Sequence, residues 1–148
     1  ERGRAWTGWI RGVYPTRATA QAALERGDLF VQEADGRVVG CAIINQSQVD
    51  TYRQANWMHD APDDQVMVLH TLAVDPAVKG RGLGTAFVAF YERYALEHGC
   101  RFLRMDTNAR NAGARSLYKR LGYREIGILP CEFNGIPGVN LVMLEKTL

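Results

Sequence analysis

The spacing of apolar positions divides the chain into short segments of two periods. Residues 15–26 open on Pro15 and Thr16 and run through Ala18, Ala22 and Leu24 to Arg26, which predicts a helix. Gly27 is placed to end it in a left-handed cap. Asp28 to Ala34 and Arg37 to Asn45 read as two strands around Asp35-Gly36, the pair that a tight type I′ hairpin turn favours because both residues need positive φ. Residues 46–64 have no clean period, and so long a connection in a small domain is usually functional or mobile. Gln65 to Val74 is a strongly apolar strand, stopped by Pro76. From Gly82 the period becomes helical, with Leu83, Phe87, Phe90 and Tyr94 along one face and Gly99 as the cap. Arg101 to Thr107 follows as a strand, reached by a helical crossover, and so a parallel neighbour of the apolar strand. A second amphipathic helix carries Ala114, Leu117, Tyr118 and Leu121 and ends at Gly122. Tyr123 to Ile128 and Val139 to Leu144 read as closing strands, with Gly135, Pro137 and Gly138 marking their turn. The order predicts one domain with a mixed α/β sheet.

Composition adds limits. The 148 residues suffice for one buried core, with 47% apolar and 23% charged residues. A net charge of +2, with no Lys/Arg run, gives no nucleic-acid surface. No apolar run approaches the ~18–20 residues of a membrane span, and no signal peptide is visible. Cys41, Cys100 and Cys131 are widely spaced, without a C-x-x-C pair, which favours reduced thiols and a cytoplasmic setting over a zinc site. No metal is expected.

The chemistry concentrates after the apolar strand, in Val74-Asp-Pro-Ala-Val-Lys-Gly-Arg-Gly-Leu-Gly-Thr85. Gly80, Gly82 and Gly84 lie between a strand and a helix, where backbone can approach an anion and the first helical N–H groups point outward. Lys79 and Arg81 add positive charge, and a pyrophosphate is the natural occupant. The Walker spacing is absent, since no Gly-Lys-Ser/Thr occurs. The dinucleotide G-x-G-x-x-G is absent too, because the glycines here alternate as G-x-G-x-G.

About 25 residues on comes Asn108-Ala-Arg-Asn-Ala-Gly-Ala-Arg-Ser-Leu-Tyr-Lys-Arg-Leu-Gly-Tyr123. Together the two segments resemble the GNAT superfamily of acyl-CoA N-acyltransferases. Residues 79–84 are similar to its phosphate motif, [Q/R]-x-x-G-x-[G/A], with Lys79 where Gln or Arg is usual. Residues 111–123 are similar to its N-x-x-A…L-Y-x-x-L-G-[F/Y] segment. The resemblance implies a mixed, mostly antiparallel sheet with a splayed central strand pair flanked by helices. It also implies a strand and helix ahead of the pattern seen here; residues 1–14 match only the end of that helix and the loop after it.

The resemblance further implies acetyl-CoA as cosubstrate. Backbone N–H groups of Gly80, Arg81, Gly82, Leu83, Gly84 and Thr85 would hold its pyrophosphate, with Lys79 beside them. Leu72, Ala73 and Val74 would line its pantetheine arm. Asn111 would bond the pantetheine amides, or simply cap its helix. Tyr118 would act as general acid toward the departing thiol, or be a core residue, or both. For the base that deprotonates the amine, His70 and Asp106 are the candidates and Glu33 a distant third, with His70 equally readable as a satisfied core residue and bulk water able to serve if the amine arrives neutral. The expected reaction is direct attack by a primary amine of a small molecule or peptide in a ternary complex. Residues 46–64, with Tyr52, Trp57, His59, Asp50, Asp60, Asp63 and Asp64, suit the acceptor side, or equally form a solvated loop with one or two aromatics anchored on the core. Trp6, Trp9 and Tyr14 suit the opposite rim. The resemblance allows a homodimer. The competing reading is a non-catalytic acyl-CoA sensor or interaction module of the same fold.

Overall fold

The computed structural model describes residues 16–78, 80–133 and 136–148. The expectations about a preceding strand and helix, and about the rim of Trp6, Trp9 and Tyr14, fall on residues 1–15, outside the described residues. Thr16 caps helix α1 (Arg17–Arg26): its hydroxyl accepts from the Thr19 amide, the Thr19 hydroxyl accepts in return from the Thr16 amide, and Gly27 closes the helix at φ 79°. Strands β1 (Leu29–Ala34) and β2 (Arg37–Asn45) form the expected hairpin, and Asp35 and Gly36 take φ 53° and 74°. Strand β3 (Val66–Val74), helix α2 (Leu83–Glu97), strand β4 (Phe102–Asn108), helix α3 (Ala112–Arg120) and the strands β5 (Arg124–Phe133) and β6 (Ile136–Thr147) complete the order.

The six described strands form one sheet in the order β1-β2-β3-β4-β6-β5. Only β3 and β4 are parallel among them. The turn of the last hairpin differs from the expectation. The closing strands run on past Ile128 and start before Val139, so Pro137 and Gly138 lie inside β6, and the pairing of the two strands reaches Phe133 and Ile136. The ladder of β6 against β4 stops at Leu141, so Pro137 lies in a two-stranded overhang where its missing N–H interrupts no central ladder.

Strand alternation sends side chains to two cores. On one face Met67, Leu69, Leu103, Met105, Val142 and Leu144 meet Phe87, Val88, Tyr91 and Ala95 of α2 and Tyr118 of α3. Phe90 and Tyr94, two of the four residues on the anticipated stripe of α2, flank this face and pack on Phe30 of β1. On the other face Val66, Val68, Val139, Leu141 and Met143 meet Tyr52, with Trp57 packed alongside. Cys41, Cys100 and Cys131 are free thiols. No described helix is long and apolar enough to cross a membrane.

One irregularity opens the sheet at the end where β3 leaves it. Ile43 pairs with His70 but Cys41 pairs with Ala73, so β3 carries an extra residue opposite Ala42. Thr71 adopts φ 49° there, a conformation that a β-branched residue rarely takes and that costs about 1–3 kcal/mol. The parallel ladder ends at Leu69 and Met105, and beyond it β3 and β4 part. Burial changes at the same point: Val66 to Leu69 are buried, and His70 to Val74 only partly so.

Candidate active site

The parting strands, the turn after β3 and the start of α3 meet at one end of the sheet. Gly82 caps α2 at φ 72° and Gly80 sits at φ 88°, both in the left-handed region that glycine enters without a Cβ penalty. A Cβ at either would meet nothing within 4 Å, so both line open space. No side chain caps α2; its first intrahelical bond runs from Ala86 N to Gly82 O, which leaves the amides of Leu83, Gly84 and Thr85 to a ligand. Gly84 serves packing as well, because a Cβ there would lie 3.2 Å from Leu117 Cδ2 and hold α2 away from α3. Gln32 Nε2 donates to Leu83 O at 3.2 Å and ties the turn to β1. Arg81 is exposed at the rim; Lys79 lies outside the described residues. Leu72, Ala73 and Val74 occupy the end of β3 that has parted from β4, beside this cradle and partly buried.

Asn111 fulfils its capping role: its Oδ1 accepts from Ala114 N at 3.1 Å. Its Nδ2 has no partner among the described residues, so capping leaves two donors for a ligand carbonyl. Tyr118 is 6% exposed and packs edge-on against Tyr123 at 6.1 Å. Its hydroxyl makes no hydrogen bond among the described residues and is not sealed from solvent, which leaves it open to a ligand. Burial, and then the charge of Asp106, push the Tyr118 phenol well above its ordinary value, so it stays protonated at neutral pH.

The two candidate bases differ. His70 is tied into a polar chain, with Nε2 at 2.8 Å from Asn45 Oδ1, Asn45 Nδ2 donating to Asp28 Oδ2 at 2.7 Å, and Arg26 Nε donating to the same oxygen at 3.0 Å. Burial lowers the imidazole to about 4, so it is neutral but a weak base. Asp106 Oδ2 accepts from the Tyr52 hydroxyl at 2.7 Å, and its other oxygen has no partner among the described residues. Burial raises Asp106 to about 6 while the Tyr52 bond opposes the rise. That value suits proton transfer near neutrality. Glu33 is exposed on edge strand β1, two strands from β3.

In the segment 46–64 two aromatics, Tyr52 and Trp57, are anchored on the core. Tyr52 is 1% exposed under the sheet, Trp57 Nε1 donates to Tyr52 O at 2.8 Å, and Arg104 stacks 4.4 Å over the Trp57 ring. Arg104 also donates to Gln48 Oε1 and His59 O, and Met58 N donates to Glu145 Oε2. Asp50, Asp60, Asp63 and Asp64 remain exposed. Arg104 and Glu145, each 6% exposed, are absent from the residues that sequence pattern singles out. Their signal is a charged residue interrupting an apolar strand, which is rarely buried without partners.

A glycine cradle lies beside split parallel strands, with the Tyr118 phenol and the Asp106 carboxyl near the split, an arrangement that suits an anionic carrier and a reacting group. Residues 4–123 match the acetyltransferase (GNAT) family model. The chain belongs to that family. It is 33% identical over 96 residues to an uncharacterized N-acetyltransferase of Methanocaldococcus jannaschii, covering 65% of this chain and 38% of that one. It is 25% identical over 96 residues to the aminoglycoside N(6')-acetyltransferase type 1 of Salmonella typhimurium, covering 65% and 61%. The chain thus spans less than two thirds of the length of these relatives. Among solved structures, a GNAT-family acetyltransferase of Streptococcus agalactiae superposes with a TM-score of 0.82 at 23% identity, over 99% of this chain and 83% of that one. One from Elizabethkingia anophelis, with acetyl-CoA bound, gives 0.67 at 18% identity over 92% and 86%. At these identities the structural likeness is one of fold.

Proposed function

We propose that this chain transfers an acetyl group from acetyl-CoA to a primary amine of a small molecule or peptide, by direct attack in a ternary complex. The observation that carries the reading is the unpartnered hydroxyl of the buried Tyr118, near a split in the sheet whose mouth is an open anion cradle. The acetyl-CoA bound to the Elizabethkingia anophelis neighbour and the name of the Salmonella relative support it.

The donor set fits acetyl-CoA. The amides of residues 80–85 suit a pyrophosphate, Leu72, Ala73 and Val74 a partly apolar arm, and Asn111 Nδ2 an amide carbonyl. When bound, acetyl-CoA supplies an acyl group activated as a thioester. Asp106, ionised above about 6, takes a proton from the amine on its free oxygen. Tyr118, still protonated, gives its own proton to the departing sulfur and recovers one from solvent. His70 acts as a structural residue in this scheme, since its ring is bonded to Asn45.

Calorimetry with acetyl-CoA, and with Gly82→Glu as control, tests the cradle. Micromolar binding that the glutamate abolishes is the expected result. A screen of spermidine, kanamycin, lysine amide and a short peptide with a free N-terminus then tests transfer. A folded chain that binds no acetyl-CoA at millimolar concentration overturns the assignment. A ping-pong rate law overturns direct attack.

A further inference from the structure

We propose that Tyr52 is a positioning residue that occupies one oxygen of Asp106 and so presents the other to the acceptor amine. The inference rests on the reading of Asp106 as the base. The segment 46–64 reaches under the sheet at the 3₁₀ turn Asp50–Gln54. There the Tyr52 hydroxyl donates to Asp106 Oδ2 at 2.7 Å. Burial, and then the neighbouring carboxylate, hold the Tyr52 phenol protonated far above neutrality, so it acts only as a donor. A carboxylate that accepts on Oδ2 has its orientation fixed, and its proton then enters on Oδ1.

Tyr52 is itself braced. Trp57 lies 5.3 Å from its ring and donates to its carbonyl, and Arg104 stacks on Trp57 from the strand that carries Asp106. The link therefore returns to β4 two residues from where it began. An ordinary loop anchor would need packing alone; a buried hydroxyl spent on a half-buried carboxyl sets charge as well as position. The titratable groups that interact with Asp106 among the described residues are Tyr52 from this turn, Tyr118 from α3 and Cys131 from β5. None is cationic, so the Tyr52 donor is the favourable contact that keeps the carboxylate ionised near neutrality.

Tyr52→Phe keeps the ring and deletes the donor. Carbon NMR of the Asp106 carboxyl, assigned with Asp106→Asn, reads the titration without any acceptor. The midpoint in Tyr52→Phe should rise by about one pH unit. An unchanged midpoint overturns the inference. With whichever screened amine is acetylated, the acid limb of kcat/KM should rise by the same amount, and activity should recover at high pH. A loss uniform across pH makes Tyr52 a structural anchor only and overturns its positioning role. Full activity in Asp106→Asn sinks the base reading, and the NMR midpoint still reports on the Tyr52 bond itself.

Discussion

Tyr118 shows how one side chain serves packing and chemistry together. Its ring fills the helix-side core, while its hydroxyl makes no hydrogen bond among the described residues. Tyr118→Phe should leave the thermal midpoint and the acetyl-CoA KM nearly unchanged and lower kcat by about 100-fold or more, as loss of a general acid does. Steady-state kinetics check this; an unaffected kcat removes Tyr118 from the mechanism. His70 and Asp106 make a second residue-scale prediction, because their shifts oppose each other in sign. His70 falls from 6.5 to about 4, so its contribution to stability is complete above 6.5 and drains away as pH falls toward 4. Asp106 rises from 3.8 to about 6, so its contribution is complete below 3.8 and is lost as pH rises through 6. Each spans about 3 kcal/mol, and in the parent they largely cancel between pH 4 and 6. Urea unfolding should therefore show His70→Gln gaining stability on acidification and Asp106→Asn losing it.

At the scale of elements, Asn111 caps the start of α3 and, in the proposed function, also bonds an amide carbonyl of the carrier. Two substitutions separate the roles. Asn111→Ala should cost about 1 kcal/mol of stability through the lost cap. Asn111→Ser keeps a capping oxygen, so stability should hold while acetyl-CoA affinity falls several-fold from loss of the amide donors. Calorimetry and thermal melts distinguish them, and equal affinity in parent and serine variant assigns Asn111 to capping alone. Most elements are readable in the sequence because their signals are local. Asp35-Gly36, Gly27 and the spacing of Leu117, Tyr118 and Leu121 each state a conformation within a few residues. The bulge at Thr71 is not of that kind. It arises from the mismatch of two ladders, and nothing about threonine in an apolar run announces positive φ. Pro137 and Gly138 are misread by sequence pattern for a related reason: Pro137 reads as a breaker until the overhang of β6 is known. The glycine cradle and the position of Tyr118 are legible from motif spacing. The Tyr52–Asp106 bond is not, since the two residues are 54 apart in sequence.

Across the whole molecule, the segment 46–64 is held by charges that belong to the sheet. Arg104 reaches Gln48, Trp57 and His59, and Glu145 reaches Met58. Trp57→Ala removes the shared surface on which Arg104 and Tyr52 rest. Limited trypsin digestion should then cut at the exposed Arg53 several-fold faster than in the parent, with the core still folded by circular dichroism. Equal cleavage would show that the segment is held without this stack.

The gap between β3 and β4 has a consequence beyond the space it opens. An intact sheet is a partition: groups on its two sides are insulated by a layer of paired backbone. Here the partition ends at Leu69 and Met105, and Tyr118 from the helix side comes within electrostatic influence of Asp106, which Tyr52 holds from the other. On the proposed function, groups supplied by two separate stretches of sequence, 80–118 on the helix side and 46–64 on the other, act on one reaction through that window.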